Sequence, residues 1–448
     1  MPSALSIDLY QLTMAGGYYV HDCMGQATFE LSVRALPRER GYLLAAGLEP
    51  ALEFLEELRF STDDIARLRE IPALGRLPAA FFDDYLEEFS FTGEVWAPPE
   101  GTPVFPLEPL LRVTAPLPEA QIVETPLLSM MLFQTSVASK AARVVQAARG
   151  HSVVEFGARR AHGTEAALLA ARAAYLAGCT GTSLVDAWRR FGIPVSGTMA
   201  HSWIMSQSSE TEAFERYMDI YGNDSVLLVD TVDTVLAVRQ IAAAGLKPAG
   251  VRLDSGDLAT LSRAVRQVLD ESGLDHTRIL ASGDLDEHRV AALVDSGAPI
   301  DAFGVGTSVT TSIDAPALAG VYKLVETERD GLHLPTLKLS PQKATYPGRK
   351  QVWRVRRGAD AIGDVLGADG DLVPEQGTAL LECVMRAGRR TRPAPSLAGL
   401  RDRASAAVCG LPVGVRRIRE PAAYPVDVSD RLQRLADDVA ERVRSSAQ

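Results

Sequence analysis

Apolar and polar positions change rhythm twice along this chain of 448 residues. ATFELSVRAL at 27 to 36 alternates with the period of a strand, while Leu48 to Leu58 carries apolar residues at helical spacing, so the opening third predicts an α+β layer. From about Val153 the pattern becomes a series of short apolar runs, each followed by a polar or glycine-containing turn and then an amphipathic stretch. The runs are VVEF at 153 to 156, LAGCT at 176 to 180, PVSGTM at 194 to 199, VLLVD at 226 to 230, AGVRL at 249 to 253, RILASG at 278 to 283, DAFGVG at 301 to 306 and GVYKLV at 320 to 325. Helical segments such as Glu165 to Ala177, Glu210 to Tyr221, Thr234 to Ala244, Leu258 to Glu271 and Glu287 to Ser296 lie between them. About seven or eight β/α units of this kind predict a parallel sheet closed into a TIM-like barrel. An open doubly wound sheet is the alternative, but its dinucleotide-binding form needs G-x-G-x-x-G in the first β/α turn, and none stands there.

After about Pro335 the alternation stops, and a basic segment gives way to glycine-rich, hairpin-like sequence. The tail from Ser429 to Val443 begins with a helix-capping residue and sets Leu432, Leu435, Val439 and Val443 on one face. The fold class expected is therefore α/β: an irregular (β/α) barrel over 136–335 and an α+β domain over 1–135. Residues 336–420 complete that second domain, and 421–448 form a peripheral helix.

Composition adds exclusions. The balance of 46% hydrophobic and 23% charged residues is that of a folded globular protein. A net charge of -11 repels nucleic acid and anionic membrane, so neither is expected as a partner, and local basic groups or backbone N–H donors must hold any anionic ligand. The first 20 residues lack the basic start and apolar core of a signal peptide, which predicts a cytoplasmic protein. Cys23, Cys179, Cys383 and Cys409 form no C-x-x-C pair, so reduced, unligated thiols are expected.

Active-site groups of a barrel gather at the C-terminal ends of its strands. Here Arg159 and Arg160 follow the first run, Thr182 and Ser183 the second, His201 and Ser202 the third, and Asp230 ends the fourth. Arg252, Asp254, Ser255 and Asp257 come with the fifth, Gly283 and Asp284 with the sixth, and Gly304, Gly306 and Thr307 with the seventh. Taken singly, each has a plain structural reading: Asp230 or Asp257 as helix caps, Arg159 and Arg160 as a solvated helix start, His201 as a satisfied histidine. Together, guanidinium groups, a glycine-rich turn and carboxylates suit a phosphate-rich ligand that shares its charge with Mg²⁺.

These residues sit in a set of motifs: DLYQLTMA at 8 to 15, FGARRAHG at 156 to 163, SGTMAHS at 196 to 202, DTVDT at 230 to 234, VRLDSGDL at 251 to 258, FGVGTS at 303 to 308 and YPGRKQVWR at 346 to 354. In order and over nearly the whole chain, the set resembles the nicotinate phosphoribosyltransferase family. The resemblance implies ATP-coupled joining of nicotinate to phosphoribosyl pyrophosphate, with Mg²⁺, in a homodimer with shared active sites. It implies that His201 is transiently phosphorylated, oriented by Asp230, and that Arg252 and Asp254 hold the ribose and phosphates. It further implies that Gly283, Asp284, Gly304, Gly306 and Thr307 line the nucleotide, with Thr182, Ser255 and Asp257 nearby. Phe156 would stack on the pyridine ring opposite the partner subunit's Tyr10, with Arg159 close by.

Relatives that use nicotinamide carry an aspartate in the turn that reads GTS here. Ser183 in that place donates to a carboxylate where an aspartate would repel it, which favours nicotinate. Lys338, Ser340, Lys343 and Lys350 also resemble family sequence near the site, although a basic hairpin is usually a solvated one. The family's zinc-binding variants carry clustered cysteines near the C-terminus, which Cys383 and Cys409 do not match, so no zinc is expected. Among rival readings, Ser183 disfavours a nicotinamide-using relative, the GTMAHS match counts against a quinolinate-using one, and the intact His201 and DSGD turn count against a silent homologue that binds nucleotide without turning it over.

Overall fold

The computed structural model describes residues 3–339 and 345–446. The chain divides into two compact units, Val137–Pro316 and a second built from the residues up to Ser136 with those from Ala317 onward. No helix among the described residues is long and apolar enough to cross a membrane.

The unit Val137–Pro316 is organised by six parallel strands: β1 (Ser152–Glu155), β2 (Gly181–Thr182), β3 (Val226–Leu228), β4 (Gly250–Leu253), β5 (Arg278–Ala281) and β6 (Ala302–Val305). Their order is β2-β1-β6-β5-β4-β3, so the first strand lies beside the last, from Ser152 opposite Ala302 to Glu155 opposite Val305. That cyclic order is the barrel's. Beyond β2 a single parallel bridge joins Thr182 to Val195, and no ladder links Val195 to β3.

The fold is a mixed α/β one with a curled, half-barrel parallel sheet, and the ladder stops short of the full closure expected, for two physical reasons. The third run, PVSGTM, is largely exposed from Pro194 to Gly197, and its proline has no N–H to give a ladder. The eighth run belongs to a long strand, Gly320–Arg329, which pairs antiparallel with Gln26–Val33 in the other unit and turns back at Gly331, where φ is +75°. A parallel β/α unit needs a helical crossover after its strand; a hairpin excludes one.

Strand interiors are apolar because both faces are covered. Leu227, Leu228, Val251, Leu253, Ile279, Ala281, Phe303 and Val305 are all buried, each large aliphatic or aromatic side chain contributing about 1.5–3 kcal/mol. Side-chain caps start the helices after the strands: Ser209 for Glu210–Tyr221, Asp233 for Thr234–Ala243, Asp257 for Leu258–Glu271 and Asp286 for Glu287–Asp295.

In the second unit, strands Leu332–Pro335, Gly320–Arg329, Gln26–Val33, Pro109–Pro116, Glu94–Ala97, Glu382–Arg386 and Arg389–Arg390 form one sheet in that order. A four-stranded sheet is built around the hairpin of Lys350–Arg357 and Asp360–Ala368. Helix Asp430–Ser446 packs Leu432 against Val352, Leu366 and Ala368 of this hairpin. Here Lys350 departs from the solvated reading: it is buried, its Nζ 2.9 Å from Glu30 Oε2 and donating to the Tyr346 and Gly348 carbonyls. Lys338 is exposed; Ser340 and Lys343 lie outside the described residues.

Candidate active site

A cavity of about 500 Å³ opens at the C-terminal ends of the parallel strands. Its wall takes Phe156, Arg159 and Arg160 from the turn after β1, Ser183 from that after β2, and Thr198 from the 194–201 loop. Arg252 and Asp254 come from β4 and the turn after it, Ser282, Gly283 and Asp284 from the turn after β5, and Gly304, Gly306 and Thr307 from β6 and its turn.

Two glycines are required by close approach. A Cβ on Gly304 would stand 2.5 Å from the Phe156 ring, so only glycine lets that ring lie against β6. Gly283 has φ +90°, and a Cβ there would lie 1.8 Å from the Asp254 carbonyl oxygen.

The polar groups are tied into fixed positions. Arg252 donates through Nη1 to Thr198 Oγ1 at 2.8 Å, and its Nη2 stands 3.9 Å from Asp254 Oδ2. Its Nε is buried without a partner. Burial pushes the Arg252 guanidinium below its ordinary value while Asp254 and Asp230 pull it back; an arginine so placed remains cationic. Asp254 also accepts from Ser282 Oγ at 2.5 Å.

His201 begins the short helix His201–Met205, directly after Ala200 of the cavity wall. Its Nδ1 lies 3.1 Å from Thr231 Oγ1 and its Nε2 3.9 Å from Asp230 Oδ1. Asp230 accepts at Oδ2 from Ser255 Oγ at 2.6 Å and from the Asp254 N–H at 3.2 Å, whereas its buried Oδ1 has no hydrogen-bond donor. The imidazole's direct hydrogen bond is therefore to Thr231, with the Asp230 carboxylate beside the other nitrogen.

His201, Asp230 and Ser255 are tied together beside this wall without lining it, and two further expected residues are engaged away from it. Thr182 is buried behind the wall, its hydroxyl donating to Glu155 Oε2 at 2.7 Å. Asp257 caps its helix, accepting from the N–H groups of Ala259 and Thr260 and from the Thr260 hydroxyl. Tyr10, expected from the partner subunit, is half exposed on helix Leu9–Val20. Sequence reasoning missed Thr198, Ser282 and Glu155 as parts of the site. The first two had a signal, since each lies inside or beside a quoted motif; Glu155 showed only as a lone acid in an apolar strand run.

Fold and site together define an α/β protein whose parallel strands open, at their C-terminal ends, on a cavity lined by three arginines and two aspartates. Comparison with known proteins narrows the class. Residues 5–132 match the nicotinate phosphoribosyltransferase N-terminal domain, 151–333 the nicotinate phosphoribosyltransferase family and 371–436 the nicotinate phosphoribosyltransferase C-terminal domain. A nicotinate phosphoribosyltransferase of Mycobacterium tuberculosis is 47% identical over 96% of this chain and 92% of its own length. That of Bacillus subtilis is 38% identical over 95% and 93%. The crystal structure of human nicotinic acid phosphoribosyltransferase superposes with a TM-score of 0.85 at 29% identity, covering 96% of this chain and 99% of that one. The chain belongs to the nicotinate phosphoribosyltransferase family.

Proposed function

We propose that the protein joins nicotinate to phosphoribosyl pyrophosphate, giving nicotinate mononucleotide and diphosphate, with ATP hydrolysis coupled through a phosphohistidine at His201. The observation that carries this reading is the convergence of Phe156, Ser183, Arg252, Asp254 and the two glycine turns on one cavity, with His201 next to its wall.

In the transfer, the pyridine nitrogen of nicotinate bonds to C1 of the ribose as the bond from C1 to the diphosphate oxygen breaks, and the electron pair leaves with diphosphate. Positive charge develops on the ribose and negative charge on the leaving group, so the protein's task is alignment and charge stabilisation. Arg252, fixed by Thr198, supplies a guanidinium that need not reorganise. The Phe156 ring, seated on Gly304, offers a face for the pyridine, and the Ser183 hydroxyl a donor for its carboxylate. The partner subunit's Tyr10 would close the other face in a homodimer.

For coupling, a His201 ring nitrogen takes the γ-phosphoryl group from ATP, releasing ADP; water later cleaves the P–N bond to give phosphate. Asp230, with one buried oxygen free of donors beside Nε2, stabilises the charged ring. Magnesium fits as a companion of substrate phosphates: no cluster of three or more His, Cys, Asp or Glu among the described residues makes a protein-only cage. Asp254 and Asp284 are the cavity carboxylates that would meet it. When bound, it neutralises phosphate charge.

The test is incubation of the purified protein with phosphoribosyl pyrophosphate, Mg²⁺ and ATP, offering nicotinate and nicotinamide separately and following mononucleotide and ADP. Product from nicotinate with matching ADP is expected. Faster turnover of nicotinamide would overturn the role given to Ser183. In His201→Ala, ATP hydrolysis and its stimulation of transfer are expected to vanish while slow uncoupled transfer persists; full coupling there removes His201 from its role.

A further inference from the structure

Behind the cavity wall, at the last residue of β1, the Glu155 carboxylate is buried and has no cationic partner among the described residues. Its charge is met by three donors from separate segments. Oε1 accepts from the Gly157 N–H at 2.5 Å and from Thr310 Oγ1 at 2.6 Å, and Oε2 accepts from Thr182 Oγ1 at 2.7 Å. Backbone bonds extend the junction. The Ser183 N–H donates to the Glu155 carbonyl at 3.0 Å, and the Thr182 carbonyl accepts from the Ser196 N–H at 2.9 Å, where the loop leading to Thr198 and His201 begins.

The packing at this point has no slack: a Cβ on Gly157 would stand 1.8 Å from Thr310 Oγ1. A carboxylate is a suitable junction because it accepts on every side and needs no donor orientation of its own. Unpaired burial of such a group is costly unless its donors stay in place, so the three segments are held as one arrangement.

We propose that Glu155 is a positioning residue, the buried junction that keeps the base-side turn at 181–183 in register with the phosphate-side turn at 306–310. The proposal rests on the phosphoribosyl-transfer reading above. Glu155 touches neither substrate; it acts through Phe156, Ser183 and Thr307, which do.

Two substitutions separate its arms. In Glu155→Gln the amide oxygen keeps the Gly157 and Thr310 donors and the amide NH₂ faces Thr182 Oγ1, so the base-side link loses its charged acceptor and is reduced to a neutral bond with the hydroxyl turned away. In Thr310→Val the phosphate-side link is lost, and Thr310→Ser restores it. KM and kcat for nicotinate and for phosphoribosyl pyrophosphate are measured for all three beside the wild type, with thermal melts. Glu155→Gln is expected to raise KM for nicotinate, and Thr310→Val KM for phosphoribosyl pyrophosphate, each by roughly tenfold for one charge-assisted buried hydrogen bond weakened or lost, with a smaller change in kcat. Thr310→Ser is expected to recover the wild-type KM.

Lowered melting temperatures with wild-type KM values in Glu155→Gln and Thr310→Val would make the junction a matter of stability alone and overturn the proposal, as would failure of both to fold. A wild type that forms no nicotinate mononucleotide defeats the transfer reading itself, and the proposal with it. That failure shows in the control, not in the variants.

Discussion

Two buried ion pairs of the antiparallel unit close on protein partners, whereas charged groups at the mouth of the parallel one keep atoms without partners. In the former, Arg354 holds Asp364 through two hydrogen bonds of 2.9 and 2.6 Å, Tyr424 donates to the same carboxylate, and Lys350 pairs with Glu30. The body of the parallel unit is similar, with Lys140 and Arg143 both on Glu287. At the mouth, the Arg252 Nε and the Asp230 Oδ1 are buried without partners, and Arg159 and Arg160 make no ion pair among the described residues. Glu108 Oε1 and Arg112 Nε of the antiparallel unit are also buried without hydrogen-bond partners; what sets Arg252 apart is that it lines a cavity, where a bound molecule can supply the partner that offsets the cost of an unmatched atom.

Substitution at each kind of site tests that contrast. The largest effect belongs to Arg354→Ala, which strands Asp364 in the core and is expected to cost about 3–5 kcal/mol. Chemical denaturation checks it, and the activity of the fraction still folded should be that of the wild type. An equal loss of kcat/KM in that fraction would break the contrast. Next comes Arg252→Ala, expected to lower kcat by roughly 10²–10³-fold through loss of a fixed cationic donor. Its melting temperature should be unchanged or raised, because a buried, partly unsatisfied guanidinium is removed. A melting temperature that falls as far as in Arg354→Ala would make Arg252 another structural charge.

Much of this organisation was legible in the sequence. The parallel strand runs could be read because their apolar residues are local signals, and the placement of polar residues after them followed from the geometry of β/α units. Ten residues expected at the site, including Phe156, Ser183, Arg252, Gly283 and Gly306, do line one cavity. Closure of the sheet was not legible, because whether PVSGTM makes a ladder depends on neighbours distant in sequence. Gly320–Arg329 reads as one more apolar run until its hairpin partner at Leu332–Pro335 is seen. Glu155 and Lys350 were opaque for a related reason: an acid or a lysine in a strand shows its charge, but whether three hydroxyl and amide donors or an opposite charge awaits it is a fact of tertiary structure.

Asp257 gives the smallest effect and the sharpest division between the two kinds of charge. It lies in the DSGD turn, three residues from Asp254, yet its carboxylate is occupied by the helix it caps. Hydrogen bonds from the Thr260 hydroxyl and N–H hold it below the ordinary carboxylate range. A carboxylate depressed in the folded state stabilises the fold above its unfolded pKa, and this contribution is lost as pH falls through the folded value. Asparagine caps a helix nearly as well but does not titrate there. In Asp257→Asn a slightly lower melting temperature is therefore expected at neutral pH, with the difference from wild type closing as the pH falls below the ordinary aspartate value of about 4 and through the depressed folded one. KM for phosphoribosyl pyrophosphate should be unchanged if capping is its whole role. A raised KM with no closing of the melting difference would instead move Asp257 to the mouth, among the charges whose partner is the substrate.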